Sequence, residues 1–309
     1  MRRIICLLLT LCLLAGAAAS AEEEIGKLRH IYVNGSDYVQ KTNLTVILLL
    51  GVDGAVSSGL GKARGGGQSD FIVLCVLDHT DKTIRFLQID RDTMTQIPTT
   101  DIFGRRTGTK TDQICLAYAM GDGGKKSCSY ASEAVCTLLE GAWINLYISM
   151  GMDGISKINN ALGGVTVTVN EDITALDPAL QKGAKVTLTD AQSEIFVRGR
   201  TGIGDQTNSS RMTRQRIYME SAASRFKSLA SANKSFINTF LDKLEEVMIT
   251  DMSRGRMFNE LNRAYKYKLL PIERLEGEYS IGRDGFRQFS ADSEYISAWV
   301  LANMYRINN

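Results

Sequence analysis

The chain has 309 residues, 44% hydrophobic and 23% charged, with three prolines, a composition that excludes disordered, collagen-like and low-complexity classes. The formal charge is +2, from 36 basic and 34 acidic residues, and without Arg2 and Arg3 the balance is 34 against 34. That balance argues against a nucleic-acid-coating protein, while the length allows one large domain or two small ones.

Met1-Arg2-Arg3 precedes an apolar run from Ile4 to Leu14, then small residues ending in an A-x-A site at Ala19-Ser20-Ala21. Residues 1–21 read as a signal peptide or a short membrane anchor, and cleavage is preferred because the last six residues are small and weakly apolar. Ala17 stands where a lipoprotein would carry its cysteine. Export permits disulfides: Cys115, Cys128 and Cys136 lie within 22 residues, close enough in sequence for one pair to close a surface loop. Cys75 reads as a buried thiol in a strand, and the spacings of 13 and 8 among the other three are not those of a zinc site.

Residues 22–43 are polar and read as a linker. Thr45–Val52 and Phe71–Leu77 are continuous apolar runs, as strands covered on both faces require, and Thr83–Ile89 alternates as a strand with a wetter face. The Gly-rich stretch from Gly54 to Gly67 reads as a mobile loop between the first two. Helices are expected at 129–140, 153–162, 211–229, 236–248, 257–267 and 290–304, and strands at 143–150 and 165–169. Interleaved strands and helices predict a layered α/β domain, with the amphipathic segment from Arg211 lying on its sheet.

The chain has two histidines and lacks G-x-S-x-G, H-E-x-x-H and P-loop motifs, so histidine-dependent hydrolysis and NTP chemistry are poorly supported. Carboxylates and arginines stand instead at strand ends: Asp53, Asp70 and Asp90-Arg91-Asp92. Arg198, Arg200, Arg211, Arg214 and Arg216 fall within nineteen residues against Asp205 alone. Planar guanidinium groups suit bidentate pairing with phosphate or carboxylate oxygens. The opposing reading is an arginine-laced solvated helix, with Arg214 and Arg216 its first members. Asp53 and Asp70 could supply the one or two carboxylates that Mg²⁺ needs on a diphosphate, although Asp at a strand end is also an ordinary turn residue.

Six segments in order resemble the LytR-CpsA-Psr family, also called cell envelope-related transcriptional attenuator domain proteins: Leu48–Asp53, Ser69-Asp70, Ile89–Thr93, Ala161–Val167, Val197–Arg200 and Arg211–Gln215. The resemblance implies a three-layer α/β/α sandwich on a central mixed β-sheet over residues 44–230, with 231–309 a mostly helical extension packed on the same domain. It implies an exported phosphotransferase that moves a phosphate-linked glycopolymer from a polyprenyl diphosphate carrier to peptidoglycan at the extracytoplasmic face of the membrane, with diphosphate hydrolysis as a side reaction. Carried over by position, Asp53 and Asp70 would hold Mg²⁺ or Mn²⁺. Arg91, Arg198, Arg200 and Arg211 would clamp the diphosphate with Gln215 nearby, and the prenyl tail would lie between sheet and helices. Transition-state charge would then be offset by metal and arginine, which explains a site without histidine. Gln68 and Asn208 stand where the family often has Arg and Asp. They motivate the alternative of a non-catalytic polyprenyl-phosphate-binding or glycopolymer-binding envelope protein.

Overall fold

The computed structural model describes residues 29–53, 67–151, 153–200, 203 and 208–308. The leader at 1–21, residues 54–66 of the Gly-rich stretch and Asp205 lie outside the described residues. In chain order the first elements are β1 (His30–Val33), β2 (Ser36–Gln40), β3 (Leu44–Val52), β4 (Ser69–Asp78), β5 (Thr83–Ile89), β6 (Met94–Thr100) and β7 (Arg106–Gln113). Then come α1 (Leu116–Ala119), α2 (Lys125–Leu138), β8 (Leu146–Met150), α3 (Gly154–Ala161), β9 (Val165–Thr168), β10 (Lys185–Leu188), α4 (Asp190–Arg198) and α5 (Asn208–Ala232). The chain continues with α6 (Phe236–Leu244), β11 (Met248–Thr250), α7 (Arg254–Ala264), β12 (Lys268–Leu269), β13 (Glu273–Arg274), β14 (Gly277–Ile281), β15 (Arg287–Ala291), α8 (Ser293–Met304) and β16 (Tyr305–Ile307).

The central sheet has the order β11-β8-β3-β4-β5-β12, with β13 also on β5. It is mixed: β3, β4 and β5 pair antiparallel, whereas β8 joins β3, and β12 and β13 join β5, in parallel. The apolar runs are continuous because both faces are covered. Val46, Leu48, Ile72 and Leu74 alternate onto one face and are at most 2% exposed, with α1 packing on β4 and α2 on β8. On the other face Ile148, Leu49, Val73 and Gln88 form one cross-strand row, and Leu146, Ile47, Cys75 and Phe86 the next. Leu49, Phe86 and Ile148 on that face are only partly buried, because a cavity separates them from the helices above.

The expected α/β/α sandwich is therefore the observed architecture of residues 43–298, which form one compact unit. Two expectations are corrected. Residues 30–40, read within a linker, form the β1–β2 hairpin about Asn34-Gly35, where both residues have positive φ, and β2 also pairs with β16 in a separate compact unit. The 231–309 stretch, expected to be mostly helical, supplies β11, β12 and β13 to the central sheet. Those strands are two or three residues long, too short to show a period of two.

Candidate functional site

One irregularity in the sheet sets up the site. Gly51 pairs with Phe71 and Val52 with Ser69, so Asp70 is the extra residue of a β-bulge. Strict alternation along β4 would send Asp70 to the face of Ile72 and Leu74. The bulge re-aims it to the cavity face that Phe71 also lines. A Cβ on Gly51 would stand 3.0 Å from Phe71 Cβ, so glycine lets Phe71 close on β3. Asp53 follows β3 directly. Its N–H donates to the Gln68 carbonyl at 3.0 Å, and its Oδ1 accepts the Gln68 N–H at 2.5 Å.

Three guanidinium groups converge on Asp70. Arg91, in the turn after β5, donates to Oδ1, Arg211 on the first turn of α5 donates to Oδ2 at 2.9 Å, and Arg200 Nη2 lies 3.5 Å from the same oxygen. Arg91 also donates to the Gln68 side-chain carbonyl and stands 3.4 Å from Asp92. Among the residues that line the cavity at this end, Arg91, Arg198, Arg200 and Arg211 outnumber Asp53 and Asp70, a surplus of positive charge suited to an anionic ligand. Arg211 is 4% exposed, and burial pulls its pKa down to about 10, with Asp70 opposing that shift and Arg200 adding to it. It remains charged at neutral pH. Its Nε is buried with no hydrogen-bond acceptor among the described residues, a donor left for a ligand.

Asn208 explains how Arg211 is held. Its Oδ1 accepts from Arg211 Nη2 at 2.6 Å, and its Nδ2 donates to Asp90 Oδ1 at 2.7 Å. Asp90, 3% exposed, accepts the Tyr279 hydroxyl at 2.5 Å on its other oxygen. Tyr279 comes from β14, and its ring stacks under the Arg287 guanidinium at 3.8 Å. Gln215, one turn after Arg211, is 4% exposed and accepts from Gln88 Nε2 at 3.0 Å.

Arg198 and Arg200 flank the end of α4. That helix starts from a reciprocal capping box between Thr189 and Gln192, a signal present in the sequence as T-x-x-Q. Arg198 lines the cavity but is not drawn into the Asp70 cluster; its ion pair, at 3.9 Å, is with Glu194. Arg214 corrects the expectation of a solvated helix: it is 1% exposed, pairs with Glu171 at 2.7 Å and donates to the carbonyls of Phe196 and Gly199. It ties the 196–200 segment to α5. Arg216 is half-buried and donates to Gln88 Oε1 at 2.8 Å.

The cluster forms one end of a cavity of about 1130 Å³ between the sheet and helices α3, α5, α6 and α7. Asp53, Asp70, Arg91, Arg198, Arg200, Arg211 and Gln215 all line it, so the residues that the resemblance assigned to metal and diphosphate share one cavity, whereas Asp90, Asp92, Arg214 and Arg216 do not line it. Beyond them the walls are mainly apolar, with Ile148, Phe86, Ala222 and Phe240 among the lining side chains, until Lys227, Glu260, Lys266 and Lys268.

Sequence reasoning missed Cys115, Asn208 as a bridge and Tyr279 in this site. Cys115 is fully buried and its Sγ stands 3.4 Å from Arg91 Nη2. The loop-closing disulfide that the spacing allowed among Cys115, Cys128 and Cys136 is not formed, since Cys115 and Cys128 are both free thiols, as is Cys75. Cys128 and Cys136 are eight residues apart on one helix, about 12 Å of rise, beyond disulfide reach.

The profile of the LytR_cpsA_psr family matches residues 9–297. A Bacillus mycoides protein named polyisoprenyl-teichoic acid–peptidoglycan teichoic acid transferase TagU is 28% identical over 77% of this chain and 70% of its own length. Among solved structures, TagT bound to LI-WTA superposes with a TM-score of 0.65 at 19% identity, covering 85% of this chain and 91% of that one. Bacillus subtilis TagV superposes with 0.64 at 21% identity, over 85% and 98%. The two structures show the same fold.

Proposed function

The chain belongs to the LytR_cpsA_psr family, and from that premise we propose that it transfers a phosphate-linked glycopolymer from a polyprenyl diphosphate carrier to peptidoglycan. One observation carries the reading: a single cavity joins an arginine–aspartate cluster to a long apolar channel, a match for a lipid with a diphosphate head. Work of this kind belongs on the extracytoplasmic face of the membrane, where the wall is assembled.

Arg91, Arg200 and Arg211 exchange part of their bonding to Asp70 for bonds to diphosphate oxygens, and Arg211 Nε supplies a donor that needs no exchange. An acceptor hydroxyl of peptidoglycan attacks the phosphorus that carries the polymer. The bond from that phosphorus to the bridging oxygen breaks, polyprenyl phosphate leaves with the electron pair, and the hydroxyl proton is released. Water in place of the acceptor gives hydrolysis. Charge accumulating on the bridging and equatorial oxygens is met by guanidinium groups already fixed in place, so little reorganisation is needed.

Asp53 and Asp70, which both line the cavity, would be the carboxylates that hold a divalent cation arriving with the diphosphate. Among the described residues no group of three or more His, Cys, Asp or Glu side chains surrounds a metal position, while Mg²⁺ takes one or two carboxylates and completes its shell with phosphate oxygens and water. Mg²⁺, or Mn²⁺ in its place, supplies further neutralisation of phosphate charge.

Phosphate release from a polyprenyl diphosphate analogue, with and without Mg²⁺, tests the reading. Mg²⁺-dependent release that is lost in Asp70→Ala and Arg91→Ala supports it. Tight binding of the same lipid without release, weakened by Arg91→Ala, assigns instead a carrier-binding protein, the alternative that Gln68 on Arg91 motivates.

A further inference from the structure

The end of the cavity remote from the arginines has its own chemistry. Leu77 and Ile84 line it and are cross-strand partners, and β12 pairs alongside with Lys268 opposite Thr83. Leu77 lies six residues along β4 from Phe71, about 20 Å from the Asp70 bulge. Here the chain reads Arg263-Ala-Tyr-Lys-Tyr-Lys268, three cations and two tyrosines with no acidic residue. Lys227, Tyr265, Lys266, Tyr267 and Lys268 all line the cavity, and the three lysines are also exposed to solvent, so the channel reaches the surface at this rim. The parts are built together: Lys227 Nζ donates to the Tyr267 carbonyl at 3.4 Å, Lys266 Nζ stands 5.2 Å over the Tyr265 ring, and the Lys268 N–H donates to the Lys82 carbonyl at 2.9 Å. Exposed Arg263 and Lys82 extend the positive charge, against Asp81 beside Lys82 and Glu260, which lines the cavity and stands 3.6 Å from His79.

An apolar channel that opens through a ring of lysine and tyrosine has the chemistry of a bilayer interface. Lysine stems lie along apolar surface while their ammonium groups reach outward, tyrosine prefers the headgroup level, and clustered cations are drawn to anionic lipid. We propose that the rim formed by Lys227, Arg263, Tyr265, Lys266 and Lys268 docks on the surface of an anionic phospholipid bilayer and is the portal through which the carrier's tail passes between bilayer and cavity. The inference rests on the reading of the cavity as the carrier-lipid site. The tail end of the channel then faces the bilayer, and the arginine end faces the acceptor.

The full chain is mixed with phosphatidylcholine vesicles carrying about one third phosphatidylglycerol, and with pure phosphatidylcholine vesicles, and followed by binding and by amide hydrogen exchange. Protection is expected at 263–269 on anionic vesicles, not at the exposed Lys182 and Lys185, and it should fade with added salt. The R263E/K266E/K268E variant should lose this protection and on the order of a hundredfold in the anionic-lipid component of affinity, whereas K182E/K185E should not. R263Q/K266Q/K268Q, a milder change, should fall between them, and the melting temperature of each variant checks folding. In the triple reversal, turnover of a polyprenyl diphosphate presented in vesicles should fall further, relative to wild type, than turnover of the same lipid in detergent micelles. Exchange at 263–269 unaffected by anionic vesicles, or equal binding by wild type and both rim variants, overturns the portal. An absence of turnover in micelles by wild type counts against the transferase reading alone, because the exchange measurement still decides the docking surface.

Discussion

Asn208 Nδ2 donates to Asp90 Oδ1 at 2.7 Å while its Oδ1 accepts from Arg211, so one amide joins a buried carboxylate to a buried guanidinium. The amide supplies both, since Asp90 takes a donor and Arg211 an acceptor, whereas an ionised carboxylate only accepts. Asn208→Asp keeps the arginine contact and sets a second carboxylate against Asp90. The variant should lose about 1–3 kcal/mol of stability at pH 7 and recover part of it towards pH 5, as one carboxyl of the pair takes up a proton. Thermal melts at the two pH values check this; an equal loss at both contradicts it.

Tyr279 sits one bond further out, and Tyr279→Phe removes its donor to Asp90 while sparing the ring under Arg287. If Tyr279 acts by holding Asn208 and hence Arg211, its effect on diphosphate affinity should vanish in an Arg211→Lys background. A double-mutant cycle on binding of inorganic diphosphate reads this coupling, and purely additive losses refute it.

The paired runs at Thr45–Val52 and Phe71–Leu77 were legible because buried strands leave a continuous apolar signature. Hairpin β6–β7 was not, because Pro98 interrupts β6 and β7 is the polar, exposed sequence RTGTKTDQ. The identity of the site residues was legible as charges at strand ends. Their geometry was not, since a one-residue bulge at Asp70 and a bridging amide leave no periodic trace. Arg214 shows the limit most sharply. Its position among other arginines pointed outward, yet its partner Glu171 is 43 residues away in sequence and draws it inside.

Breaking that pair should therefore be costly. Arg214→Ala leaves the Glu171 carboxylate to the Ser210 hydroxyl and frees the carbonyls of Phe196 and Gly199, with an expected loss of about 3–5 kcal/mol, whereas Arg216→Ala, which frees the side-chain carbonyl of buried Gln88, should cost about 1–2 kcal/mol. Urea denaturation of the two variants checks the ratio. Similar losses would mean that the buried pair contributes no more than half-buried Arg216 does.

Burial sets the thiols. The pKa values of Cys75, Cys115 and Cys128 are each pushed up to about 12 by desolvation, so at pH 8 thiolate is scarce even at Cys115 beside Arg91. Iodoacetamide should leave these three unmodified in the folded protein and alkylate them in urea, as read by mass spectrometry. Rapid native alkylation at Cys115 would show that the Arg91 pocket opens.

Asp92 gives a pH dependence of definite sign. Burial and neighbouring Asp90 raise its pKa, with Arg91 opposing, so between the ordinary carboxylate value of about 4 and its raised value the folded state holds more protons than the unfolded. Its contribution to stability is therefore present at low pH and lost as pH rises through that window. Asp92→Asn should gain stability relative to wild type as pH rises above about 4, and a difference that stays flat would refute the assignment.

The apolar channel can be separated from the charged cluster by filling it. Ala222 lines the cavity on α5, and tryptophan there has empty volume to occupy, so Ala222→Trp should fold with an unchanged or higher melting temperature. Inorganic diphosphate touches only the arginine end, and its affinity should not move. A long-chain polyprenyl diphosphate must share the channel with the new ring, and its turnover should fall at least about tenfold, a loss of roughly 1.4 kcal/mol of transition-state stabilisation. Equal turnover of the long-chain substrate by Ala222→Trp and wild type would place the prenyl tail outside this cavity.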